Sequence, residues 1–83
     1  MNNKKTAQDW HRADIVAALH KVGWSMRQLA FHHGYKDGTT LKNALDRPWI
    51  KGERIIAEAI GIPPEEIWAS RYQQRNLKKF ADR

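Results

Sequence analysis

Glycine or proline interrupts this chain at short intervals, and these breaks limit every helix to a few turns. The breaks fall at Gly23, Gly34, Pro48 and Gly61. Between them, apolar residues recur about every three or four positions, as on one face of a helix, and no window shows the apolar–polar alternation of a strand. An 83-residue chain suits one small domain. The sequence therefore predicts an all-α, compact bundle of short helices.

Five helices are predicted from this spacing and from their start and stop signals. Ser25 and Gln28 form a capping box, the clearest helix start in the chain, because each side chain can accept the backbone N–H of the other residue. Asp9 is expected to cap the first helix, and Gly23 to end it in the left-handed conformation. The helices are expected at about 10–21, 26–33, 39–46 and 51–60, and over a short segment opened by Pro63 and Pro64.

The tryptophans are expected to help build the core, because a bundle this small has few aliphatic side chains to bury. Stacking on single-stranded bases is the alternative use of such residues. We expect most of the four to be packing residues: Trp10, Trp24, Trp49 and Trp68.

The net charge of +6 is carried by the two ends of the chain. Residues 9–70 contain eight basic and eight acidic side chains, whereas 1–8 add two lysines and 71–83 add five basic residues against one acid. This distribution suits a polyanion, since neutralised phosphates release condensed counterions. We expect flexible basic ends: an N-terminal arm over 1–8 and a tail over 73–83, on either side of a domain over 9–72. Leu77 and Phe80 are three positions apart, so a helical extension is the alternative to a mobile tail.

Two helices joined by a tight glycine-containing turn, with the second helix polar on its outer side, are typical of a helix-turn-helix. Leu29, Tyr35, Leu41 and Ala44 are expected to bury the inner faces. The outer side of 39–46 would then reach base edges in the major groove, where asparagine pairs with adenine and lysine or arginine with guanine. The candidates for base contact are Thr39, Thr40, Lys42, Asn43 and Arg47.

Phosphate contacts are expected mainly at the start of the second helix, where free backbone N–H groups and the helix dipole favour an anion. The candidates there are Ser25, Arg27 and Gln28, and the further cations are Lys36, Lys51, Lys4 and Lys5. Helix-turn-helix proteins usually contact two half-sites about one helical turn apart, so we expect a dimer on double-stranded DNA. The near-neutral middle of the chain suits a monomer when free.

Catalytic and metal chemistry find no support in the residue pattern. Cysteine is absent, and the adjacent His32 and His33 point about 100° apart on a helix, so they are poorly placed to share an ion. We expect no enzyme activity, no cofactor, no metal and no membrane partner, and a cytoplasmic, nucleoid-associated protein. An RNA-binding or protein-interaction module on the same bundle remains the alternative function.

Four segments give the chain a family resemblance: DWHRADIVAAL, GYKDGTTLKNAL, RPWIKGERIIAEAIG and PPEEIWASRY. They resemble the Ner-like regulators, the small repressors of Mu-type phages and their bacterial relatives, over residues 9–72. The resemblance implies a lambda-repressor-like fold of five helices, sequence-specific operator binding and control of transcription without enzymatic activity. It also implies that TTLKNAL, with Thr39, Thr40, Lys42 and Asn43, is the recognition helix.

Overall fold

A computed structural model describes the backbone of residues 8–81 and the side chains of residues 8–76. The third helical segment is a 3-10 turn, Thr40–Lys42, that continues directly as an α-helix, Asn43–Asp46, and the two together are called α3. The other helices are α1 (Arg12–Lys21), α2 (Met26–His32), α4 (Ile50–Ile60), α5 (Pro64–Ile67) and α6 (Ala69–Ala81). No strand occurs in residues 8–81. The prediction of an all-α fold is confirmed.

The start of α1 differs from the prediction. His11 is the capping residue, and its Nδ1 accepts the backbone N–H of Ala13 at 3.0 Å. Asp9 instead accepts the backbone N–H and the hydroxyl of Ser70, both at 2.8 Å, and so caps the first turn of α6. The reason is tertiary: the Trp10 N–H donates to the carbonyl of Ile67 at 2.9 Å, which holds the segment before α1 against α5.

The start and end of α2 follow the sequence closely. Ser25 Oγ accepts the Gln28 N–H at 3.0 Å, and Gln28 Oε1 accepts the Ser25 N–H at 3.3 Å, so the capping box is confirmed. Gly34 follows the helix with φ of 87°, a left-handed conformation that only glycine adopts readily. The tight turn between α2 and α3 begins there.

One hydrophobic core joins the first five helices. Trp68 is buried and the other three tryptophans are half-buried against this core, as predicted. The buried apolar residues are Ile15, Leu19, Met26, Leu29, Ala30, Leu41, Ala44, Ile55, Ile56, Ala57, Ile67 and Trp68. Within the part of the chain that the structure describes, no helix is long and apolar enough to cross a membrane.

The C-terminal segment is helical. α6 runs from Ala69 to Ala81, so the boundary expected at residue 72 falls inside a helix, and the interpretation of 73–83 as a mobile tail is wrong up to Ala81. The alternative, a helical extension, is what the structure has. The physical reason is an ionic contact that the sequence pattern did not indicate, since Arg71 and Arg75 both bind Glu53 on α4. The arm expected over 1–8, with Lys4 and Lys5, lies outside the described residues except for Gln8.

Candidate nucleic-acid interface

The start of α3 is held by the turn that precedes it. Asp37 Oδ1 accepts the backbone N–H of Thr39 at 2.9 Å and its hydroxyl at 2.8 Å. These hydrogen bonds lower the pKa of Asp37, because they favour the charged carboxylate. The Asp37 side chain thus fixes Thr39, the residue directly before α3, whose own side chain makes no capping hydrogen bond to the helix.

The two sides of α3 differ sharply in exposure. Leu41 and Ala44 are fully buried in the core, whereas Lys42 and Asn43 are exposed. Thr39 and Arg47, which flank the helix, are both exposed, and the Thr39 hydroxyl donates a hydrogen bond to Asp37. Thr40 is exposed. The structure therefore leaves most of the predicted base-contacting residues open to solvent.

The turn brings α2 and α3 into close contact at a glycine. A Cβ atom at Gly38 would lie 2.6 Å from Arg27 Cγ and 3.1 Å from Phe31 Cζ. Arg27 packs beside the turn with its guanidinium 5.5 Å from the centre of the Phe31 ring. The cation expected at the start of α2 is thus held next to the turn that leads into α3.

The predicted phosphate contacts are spread over three elements. Arg27 and Gln28 are exposed in the first turn of α2, Lys36 is exposed in the turn, and Lys51 is exposed in the first turn of α4. Ser25 is half-buried, and its hydroxyl accepts a backbone N–H within the capping box. Lys4 and Lys5 lie outside the described residues.

Comparison with known proteins shows which family this chain belongs to. The family model described as winged helix-turn-helix DNA-binding matches residues 9–83. The chain is 58% identical over 76 residues to the Mu-like prophage FluMu DNA-binding protein Ner of Haemophilus influenzae, covering 90% of this chain and 84% of that protein. It belongs to the winged helix-turn-helix DNA-binding family.

Further relatives place the chain within the Ner-like branch of this family. It is 52% identical over 73 residues to the negative regulator of transcription of Escherichia phage Mu, covering 88% of this chain and 96% of that protein. The NMR solution structure of the Mu Ner protein superposes with a TM-score of 0.67 at 52% identity, covering 83% of this chain and 92% of that one. The resemblance to Ner-like regulators and the helical helix-turn-helix fold are confirmed.

The family name mentions a wing, but residues 8–81 of this member contain no strand. After α5 the chain continues as α6.

A buried carboxylate is the feature that the sequence analysis missed. Glu53 on α4 is fully buried, and its two oxygens accept hydrogen bonds from Arg71, Arg75 and the Trp49 N–H at 2.8 to 3.0 Å. Burial alone would raise its pKa, but the bonds from Arg75, the Trp49 N–H and Arg71 outweigh that effect and lower the pKa to about 2. The only sequence signal was an acid in the first turn of a helix.

An ion pair between α1 and α3 was also not predicted. Arg12 on α1 binds the carboxylate of Asp46 at the end of α3, and about half of each side chain is exposed. An unpaired carboxylate at this position would repel a phosphate backbone. Arg12 reduces that repulsion, so Asp46 is compatible with a DNA-facing helix.

No group of three or more His, Cys, Asp or Glu side chains able to hold a metal ion occurs among the residues described. His32 and His33 are both exposed, and their ring centres lie 5.2 Å apart at an angle of 81° between the planes. The polar surface of α3 and the turn before it form the candidate nucleic-acid interface.

Proposed function

We propose that this protein represses transcription by binding an operator in double-stranded DNA with α3 in the major groove. The observation that carries the proposal is the two-sided character of α3, with Leu41 and Ala44 buried and Lys42 and Asn43 exposed. The relative from phage Mu carries the name negative regulator of transcription, and the FluMu relative is named as a DNA-binding protein. Together the two names support DNA binding and negative regulation for this chain.

The proposed base contacts follow from side-chain chemistry. Asn43 is suited to a bidentate hydrogen bond with adenine, and Lys42 and Arg47 are suited to guanine. Thr39 donates its hydroxyl proton to Asp37, so this hydroxyl is left to accept hydrogen bonds while its methyl group contacts thymine. Thr40, in the first turn of α3, is proposed to contact DNA through the atoms that remain exposed.

The proposed phosphate contacts orient α3 in the groove. Backbone N–H groups at the start of α2, together with Arg27 and Gln28, would bind one phosphate segment. Lys36 and Lys51 would add contacts on either side of α3, and Lys4 and Lys5 would follow the DNA backbone from the N-terminal arm. Ser25 contributes by fixing the first turn of α2, since its hydroxyl already accepts the Gln28 N–H.

We further propose that two copies bind paired half-sites, that the protein acts in the cytoplasm on the nucleoid, and that it has no catalytic activity. Paired half-sites would increase the buried contact area that a single short helix provides. A titration of duplexes with one or two half-sites tests this arrangement. The arrangement is supported if two binding steps are seen only on the duplex that carries both half-sites. It is contradicted if binding occurs in a single step that saturates on one half-site.

The direct test of function is selection of bound sequences from a random duplex pool. A recurrent motif is expected, and binding to the selected duplex should exceed binding to a shuffled duplex of equal length. Equal binding to single-stranded oligomers would instead favour the RNA-binding or interaction module. If no motif is enriched even at low ionic strength, sequence-specific binding is ruled out.

The residue-level test is Asn43→Ala. Removal of one bidentate hydrogen bond should weaken binding to the selected duplex by about 1–3 kcal/mol and relax the choice of base at one position, while shuffled DNA binds as before. Asn76→Ala is the matched control, because it makes the same chemical change at an exposed position on α6. An equal weakening on both duplexes would show that Asn43 does not read bases.

A further inference from the structure

The end of α3 leaves two carbonyl groups without their ordinary helical partners. In an α-helix the carbonyl of Ala44 would accept the N–H of residue 48, but that residue is Pro48 and has none. The carbonyl of Leu45 would accept the N–H of Trp49, but this N–H donates to Glu53 Oε2 at 2.8 Å. The chain has also left the helix at Arg47, where φ is −150° and ψ is 159°.

Arg71 on α6 supplies both missing donors. Its Nη1 donates to the Ala44 carbonyl at 2.7 Å, and its Nη2 donates to the Leu45 carbonyl at 3.4 Å. The Arg71 side chain is only 12% exposed, so these bonds are largely shielded from water. A planar guanidinium can bond two neighbouring acceptors at once, whereas an ammonium is a single point of charge.

Glu53 holds this guanidinium in place. Its Oε2 accepts Arg71 Nη1 at 3.0 Å, and its two oxygens accept both terminal nitrogens of Arg75 at 2.9 and 3.0 Å. Because Oε2 also accepts the Trp49 N–H, one carboxylate joins the end of α3, the start of α4 and the first turns of α6. Both arginines bind this carboxylate, but Arg71 also bonds the carbonyls of α3.

We propose that Arg71 is a positioning residue for DNA recognition: by fixing the end of α3 through the Ala44 and Leu45 carbonyls, it aligns Asn43 with the base edges. The inference rests on the proposed function, in which α3 is the recognition helix. A helix this short, with a 3-10 first turn, has little stability of its own, so its orientation depends on what holds its two ends. Asp37 holds the start and Arg71 holds the end.

The test compares Arg71→Met with Arg75→Met. Each variant removes one guanidinium from Glu53 and one positive charge from α6, so the loss of general attraction to DNA is matched. Arg75→Met removes two hydrogen bonds to Glu53 and Arg71→Met removes one, so the control loses the larger part of the contact with this carboxylate. The measured quantity is the ratio of affinities for the duplex selected by the wild-type protein and for a shuffled duplex. Arg71→Met should lower this ratio about tenfold, comparable to the removal of one base-reading side chain, and Arg75→Met should leave it within about twofold.

Arg71→Lys keeps the test decisive if Arg71→Met does not fold, as judged by circular dichroism. The lysine retains a positive charge beside Glu53 but does not bridge both carbonyls, so the affinity ratio should again fall. The inference is overturned if the folded Arg71 variants keep the wild-type ratio, or if Arg75→Met lowers it as much as Arg71→Met. If the wild-type protein does not distinguish the two duplexes, the proposed function itself is refuted. This result differs from either outcome that would overturn the role of Arg71.

Discussion

Replacing Glu53 with glutamine should destabilise the protein in a pH-dependent way. The pKa of Glu53 is lowered from 4.5 to about 2 in the folded state. Each pKa unit corresponds to about 1.4 kcal/mol, so the charged carboxylate stabilises the fold by about 3 kcal/mol at pH 7. Because the folded-state pKa is lower than the unfolded one, this stabilisation is complete above about pH 4.5 and disappears as the pH falls toward 2. For a domain of this size, a loss of about 3 kcal/mol lowers the Tm by roughly 15 °C.

Urea denaturation followed by tryptophan fluorescence measures this effect. The free energies of unfolding of the wild type and Glu53→Gln should differ by about 3 kcal/mol at pH 7 and by progressively less between about pH 4.5 and pH 2. Glu58→Gln, the same change at an exposed position of α4, is the control and should alter stability little at any pH. A difference between wild type and Glu53→Gln that is the same at pH 7 and pH 3 would refute the assignment of a stabilising, charged Glu53.

Two further predictions concern the core under α3 and the end of α6. Leu41→Ala removes a fully buried side chain from the inner face of α3 and should cost about 2–5 kcal/mol of stability in a urea titration, whereas a cost below about 1 kcal/mol would contradict the packing described. Removal of residues 76–83 keeps Arg71 and Arg75 on Glu53 but deletes Lys78, Lys79 and Arg83. Thermal stability should change little, and the slope of log affinity against log salt should become shallower by about 0.9 for each phosphate that these cations neutralise in the wild type. An unchanged slope would show that they do not bind DNA.

The features that the sequence predicted correctly are those set by residues close together along the chain. The capping box at Ser25, the left-handed glycine at Gly34 and the exposed side of α3 depend on residues within a few positions of one another, and each is present as the spacing indicated. The candidates for base contact were chosen from the same local pattern. An exposed polar position on a helix is visible in a periodic pattern because its buried neighbours lie three and four residues away.

Asp9 shows the limit of such local reasoning. A carboxylate before a helix is a good cap for that helix, but here it caps α6, which begins at Ala69, since α5 holds the N-terminal segment there. In the sequence, Arg71 and Arg75 both belong to the basic excess at the C-terminal end, and Arg75 lies in the segment expected to be a mobile tail. Only the folded chain brings them to Glu53, which lies 18 and 22 residues away.

The sequence alone therefore determined the helix-turn-helix, its starts and stops and its polar outer side, because hydrogen-bonded turns and helical faces are set by neighbours along the chain. Tertiary structure decided how the short helix α3 is held at its end. A proline removes one donor, an acid captures another, and an arginine from a later helix supplies both. Spacing along the chain does not indicate such a contact, because it depends on where the core places α4 and α6 relative to α3.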